Sequence, residues 1–202
     1  MEEQKKYGWD DISKTFDDLY PNQEPKHYGT LIKYSLGGND PLDGVSIYDG
    51  GNYYHFVTYG FSEIYEKENS NQDISGFGFE LTFKLKKNNN IDESEIKNVV
   101  SILQTLARYV FSSKVGFKPY EYIYTGQKEG MDNSQLSKIV GFVTVEDNMA
   151  KTIDSVNGKI QFVELIGATD EELQQIINKV KTKEEVINNI INNYGDITDY
   201  NR

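Results

Sequence analysis

From Phe77 to Leu85 apolar and non-apolar residues alternate without a break: Phe77, Phe79, Leu81, Phe83 and Leu85 are separated by Gly78, Glu80, Thr82 and Lys84. Side chains of a strand project to opposite faces with period two, so this stretch reads as a strand with one wholly apolar face. That face must be covered by a second layer, and a chain that contains it has to build a sheet with something packed on it. The other face, with Glu80 between Gly78 and Thr82, reads as wet or as part of a backbone-accessible recess.

Amphipathic helices supply the cover. Trp9, Ile12, Phe16 and Leu19 recur at three- and four-residue steps with Asp10, Asp11, Asp17 and Asp18 opposite, and Pro21 ends the pattern. Asp92 with Glu95 has the spacing of a capping box and opens a helix whose stripe is Ile96, Val99, Val100, Leu103, Ala107 and Val110. Thr169 with Glu172, and Thr182 with Glu185, open two more helices that close the chain over about residues 169–194. Further strands are expected at Leu31–Leu36, Val45–Tyr48 and Tyr53–Phe61, the last two joined as a hairpin by Asp49-Gly50-Gly51-Asn52. Ile139–Val145 and Lys159–Gly167 are expected strands as well, the second announced by Asn157-Gly158, and 119–135 reads as an ordered loop with one short strand. The 202 residues suit one domain spanning 1–202, of α+β class: a mixed, mainly antiparallel β-sheet packed against α-helices.

Composition narrows the chemistry. The absence of cysteine excludes disulfide scaffolds, thiolate metal sites and a cysteine nucleophile. The net charge of −11 argues against a nucleic-acid surface, which depends on Lys and Arg neutralising phosphates, and suits a basic partner or plain solubility. The N-terminal stretch carries acids beside its lysines and no apolar segment of leader length, and Ile139–Val145 is too short to span a bilayer, so no membrane role and a cytoplasmic location are expected. No phosphate-cradling glycine loop, Gly-x-Ser-x-Gly elbow or paired-His motif is present. Asn39, Asp40 and Asp43 resemble the opening of a calcium loop, yet the ligand spacing and the distal Glu are wrong, so no metal and no cofactor are expected. The residues left as candidates for binding are Glu80, Glu146, Asp147, Asp43, His55 and Tyr59. His55, between Tyr54 and Phe56, reads as a hydrogen-bonded structural imidazole, and Arg108, polar in an apolar stretch, is expected to pair with one of the acids Glu80, Glu146 or Asp147.

LIKYSLGGNDPLDGVSIY from Leu31, HFVTYGFSEIY from His55, SGFGFELTFKL from Ser75, LQTLARYVF from Leu103, VED from Val145 and NGKIQFVELIGATDEEL from Asn157 together resemble the Suppressor of fused domain, in order and over nearly the whole chain. The family's frequent His-Trp-His before the third strand is here Tyr53-Tyr54-His55, so only His55 carries over, and IDESEIKNVV replaces a Trp-containing entry to the long helix. In animals the resemblance implies a two-domain negative regulator that grips an extended transcription-factor segment as an added strand. In bacterial members of this length it implies an immunity protein or antitoxin. The expected function is therefore a non-enzymatic acidic binding protein. Its partner is a cognate toxin domain, such as a basic nuclease, with a peptide-binding module using strand addition as the alternative.

Overall fold

The structure, a computed structural model, describes residues 5–65 and 73–202; the first four residues of the stretch read for a leader lie outside it. In chain order the elements are α1 (Tyr7–Leu19), β1 (Lys26–Gly29), a 3-10 turn (Tyr34–Leu36), β2 (Gly44–Asp49), β3 (Tyr53–Tyr59), β4 (Ile74–Lys86), α2 (Glu93–Ser113), β5 (Tyr122–Tyr124), β6 (Ile139–Glu146), β7 (Ile153–Ser155), β8 (Gly158–Thr169), α3 (Asp170–Ile177) and α4 (Lys183–Tyr194). The strands form one sheet in the order β1-β2-β3-β4-β8-β6-β5, with β7 paired to the start of β8. Among the described residues every strand pair is antiparallel except β4 with β8. The α+β sheet-and-helix architecture read from the sequence is the one observed.

α2 covers one face. Its Ile96, Val99, Leu103, Ala107 and Val110 pack on Phe79, Leu81, Phe83 and Leu85 of β4 and on alternate residues of β2, β3, β6 and β8. On the other face α1 buries Ile12 and Phe16 against Tyr48, Val57, Tyr59 and Phe162, with Tyr20 just beyond the helix end joining them. α3 and α4 pack Leu173, Ile176, Val186, Ile187 and Ile190 on Val143, Val145, Ile166 and Ala168. Gly8 is where α1 meets the 63–64 segment: a Cβ there would lie 2.2 Å from the Glu63 carbonyl oxygen, so only glycine fits.

Capping is as expected for α3 and α4, where Thr169 with Glu172 and Thr182 with Glu185 exchange both bonds. At α2 only half the box forms: Asp92 accepts from the Glu95 N–H, while the Glu95 carboxylate turns instead to the Asn133 N–H and to Asn98. The Leu31–Leu36 strand does not form. β2 takes its edge partner from Lys26–Gly29, and the residues after it leave the sheet through a 3-10 turn ending at Gly37, with Leu31 and Leu36 exposed. The short β7 went unread, since Ile153-Asp154-Ser155 is too brief to show a period and is fixed by its pairing with β8.

Candidate binding surface

The non-apolar face of β4 is closed, not wet. Glu80, Thr82 and Lys84 are all buried, capped by α1, by the loop after β6 and by the C-terminal segment. They form a polar strip between the α1 patch and the α3–α4 patch. Glu80 serves the bend after β3: its Oε1 accepts from the N–H groups of Gly60 (3.0 Å) and Ser62 (2.9 Å) and from the Ser62 hydroxyl (2.6 Å), and its Oε2 from the Thr58 hydroxyl (2.6 Å). Burial pushes its carboxyl up to about 7, against the opposing pull of those donors.

Two residues along, Asp147 Oδ2 accepts from the Thr82 hydroxyl (2.7 Å) and meets His55 Nε2 at 3.1 Å, while Oδ1 accepts from the N–H groups of Met149 (2.7 Å) and Ala150 (2.8 Å). Burial alone would raise Asp147; the His55 hydrogen bond and the nearby Lys84 charge outweigh it and hold the carboxyl well below its usual range. Burial lowers His55, so its ring is neutral at pH 7. The network then assigns Nε2–H as donor to Asp147 and Nδ1 as acceptor from the Tyr20 hydroxyl at 2.8 Å. Lys84 completes the strip with Glu164 (3.1 Å) and Asp196 (2.7 Å). Burial pushes Glu164 well above its usual value, against the opposing pull of the Lys84 ammonium. A tyrosine–imidazole–carboxylate chain has the connectivity of a catalytic relay, but His55 is 0% exposed and Asp147 2%, so nothing from solution reaches it.

Of the six candidate residues, the fold brings His55 and Asp147 into direct contact. Glu80 sits on the same face of β4 with its own set of donors. Tyr59 is buried with its ring stacked on Trp9 at 4.3 Å and its hydroxyl 3.2 Å from Ser13 Oγ. These four side chains have almost no surface with which to touch a partner. Asp43 is partly exposed and accepts from the Tyr65 hydroxyl at 3.1 Å; Glu146 is exposed and accepts from Gln161 at 3.1 Å. Arg108 pairs with Asp40 at 2.5 Å and with none of the acids expected, because α2 carries it to the loop before β2. Sequence reading passed over Lys84, Glu164 and Tyr20; the available signal was a charged residue in the middle of each of two apolar strands. Among the described residues no cluster of three or more histidines and acids is placed to hold a metal, and no helix is long and apolar enough to cross a membrane.

What faces solvent is a groove beside an irregular stretch of β4. The β4–β8 ladder pairs Ile74 with Lys159 and resumes only at Phe79 with Gln161, so the residues between bulge out of register. Gly76 (φ 56°) and Gly78 (φ 85°) make the bulge possible. The groove, of about 1,070 Å³, is floored by Phe77, Phe79, Phe117 and Pro119 and rimmed by Lys118 and Glu146. β1 and β5 are the outer strands of the sheet, each with one neighbour.

A helix-covered sheet with a sealed polar interior and its open features at strand edges defines a class of α+β protein whose chemistry is at the surface. Comparison with known proteins makes this particular. Residues 38–202 match the family model for Suppressor of fused protein, SUFU, and the chain belongs to that family. It is 32% identical to the Suppressor of fused homologs of Homo sapiens and Mus musculus over 169 residues, which covers 77% of this chain and 34% of each relative. The chain thus spans about a third of the length of those relatives. Among solved structures it is similar to a chain of the Sufu–Fu complex (TM-score 0.83, 28% identity, 98% of this chain and 91% of that one). It is also similar to Drosophila Suppressor of Fused (TM-score 0.82, 27% identity, 98% and 51%). A SUFU homolog from Neisseria gonorrhoeae FA 1090 shares the fold at 12% identity (TM-score 0.61, 97% and 94%).

Proposed function

We propose that this chain is a non-enzymatic, acidic binding domain acting as a cytoplasmic bacterial immunity protein, and that its partner is a toxin domain with a basic surface, such as a nuclease. The observation that carries the reading is where the charge sits. The net charge is −11, and α1 presents Asp10, Asp17 and Asp18 to solvent with no ion-pair partner among the described residues. The buried acids, in contrast, are occupied internally. A negative surface of this kind accelerates encounter with a basic partner and favours it over acidic ones. Asp43 and Glu146 are the two sequence candidates whose side chains face that partner. Calorimetry with a toxin encoded beside this gene should give a submicromolar complex, with association slowed by added salt. Absence of both heat and protection from killing ends the immunity reading.

A second reading is a peptide-binding module that adds a strand, favoured by the break in the β4–β8 ladder at the β4 bulge, the aromatic groove beside it and the likeness to a chain of the Sufu–Fu complex. It requires the amides of Gly76 or Gly78 to gain hydrogen-exchange protection when a partner segment binds; the Phe77 N–H already donates to the Phe61 carbonyl at 2.8 Å. Unchanged exchange in a saturated complex rules that mode out.

A further inference from the structure

The N-terminal turn of α2, the loop from Met131 to Lys138 and the C-terminal Tyr200–Arg202 enclose a recess of about 700 Å³. Glu95 (5% exposed) and Asp132 (9%) are in its wall. Each carboxylate is held by neutral donors. Glu95 accepts from Asn133 N–H at 2.8 Å and Asn98 Nδ2 at 2.9 Å. Asp132 accepts from the N–H groups of Ser137 (2.8 Å) and Leu136 (3.2 Å) and from the Ser134 hydroxyl. Neither has an ion-pair partner among the described residues, which sets them apart from Asp147 and Glu164 on the other side of the sheet. Lys138 is exposed and has no ion-pair partner among the described residues, and Arg202 is occupied by Glu172 and the Gly167 carbonyl.

The independent sign of a missing ligand is Tyr200. Its side chain is also in the wall of the recess and is 7% exposed, yet its hydroxyl is buried without any hydrogen-bond partner. A buried hydroxyl left unpaired costs about 1–3 kcal/mol, and folds retain such groups where a partner arrives later. Glu95, Asp132 and Tyr200 line the same recess, and burial, and then the fields of the two acids, push the phenol above its usual value. A phosphate or carboxylate would be repelled there. Each of the two carboxylates has spare acceptor capacity, and the hydroxyl can add another acceptor. Several acceptors around one site match the planar donor fork of a guanidinium better than a point charge.

We infer that this recess receives an arginine side chain from the protein partner. The inference rests on the reading of the domain as a binder of basic proteins and names the pocket that would anchor one. The test is an NMR titration of the ¹⁵N-labelled domain with acetyl-Gly-Arg-Gly-amide, using the citrulline peptide as control. The arginine peptide should shift the amides of Glu95, Asn133 and Asn201, and the citrulline peptide should not. Glu95→Gln should weaken binding tenfold or more. Tyr200→Phe should weaken it severalfold while raising the melting temperature of the free domain, a pairing that a purely structural tyrosine would not produce. Equal response to both peptides, no localised shift at 20 mM, or binding indifferent to Tyr200→Phe overturns the assignment. A cognate toxin bound tightly by the Glu95→Gln and Tyr200→Phe variants sinks the pocket and leaves the immunity reading standing. Peptide capture without any toxin complex does the reverse.

Discussion

The two faces of the sheet meet the same requirement, removal from water, by different physics. Under α2 the contacts are mainly apolar, with Phe83 5.7 Å from Phe142 and 6.1 Å from Phe56 between ring centres and Gln104, bonded to the Leu42 backbone, as a buried polar exception. Such packing is non-directional and tolerates exchange of side chains of similar volume. On the opposite face two apolar patches flank a strip of buried charge and hydroxyls in which each donor has a particular acceptor. Directional contacts of this sort contribute less net stability than hydrophobic replacement would, but they admit one arrangement. Lys84 illustrates this: it ties β4, the neighbouring β8 through Glu164, and the C-terminal segment through Asp196, so one side chain locates three pieces of chain.

Breaking the polar face should do the most damage. Lys84→Met leaves Asp147 and Glu164 buried with their shared cation gone and should cost about 3–5 kcal/mol at pH 7 in urea melts. Part of that loss should return at pH 5, as the stranded carboxyls take up protons. Phe83→Ala should cost a similar or slightly smaller amount, about 3–4 kcal/mol, on the α2 face, with no recovery on acidification. If the two variants show the same pH dependence, the contrast between the faces is lost.

Glu80 sharpens the contrast further. Its folded value of about 7 lies above the ordinary 4.5. Its favourable contribution is therefore complete below pH 4.5 and is lost as pH rises through 7, a change of up to about 3 kcal/mol. His55 has the opposite sign across the overlapping window, because its depressed value favours the fold above pH 6.5. The readout is therefore the difference between Glu80→Gln and the parent chain, which should shrink between pH 5 and pH 8. A constant difference places the ionisation elsewhere. The smallest effect belongs to neither face: Thr169→Ala removes the α3 cap and should cost about 1 kcal/mol, detectable as a fall in Tm.

Local patterns were legible where they were long. The Phe77–Leu85 alternation, the Asp49–Asn52 hairpin turn and the Thr169 and Thr182 capping boxes all appear in place, because a period or a cap is set by residues within a few positions of one another. Leu31–Leu36 shows the limit. Its residues have strand character, but β2 offers one free edge, and Lys26–Gly29 takes it, so the apolar segment is left outside the sheet. Glu95 shows the same limit for a cap: the Asn133 N–H, 38 positions away in sequence, takes its carboxylate from the expected local donor. Of the candidate residues, the sequence could mark Glu80, His55 and Asp147 as unusual, but it could not say that closure of α1 and the C-terminal segment would seal them in.

By itself, then, the amino-acid order determined the apolar strand face, the helices able to cover it, the surplus of negative charge and the membership signalled by the SGFGFELTF and LGGNDPLD stretches. Those properties are composition or short-range spacing, and they survive in any extended chain. Tertiary structure decided which acids reach water, which cation each buried acid meets and which carboxylates are left without one. Exposure and partnership are relations between residues distant in sequence, so they come into being only when β4, β8 and the C-terminal residues are brought side by side.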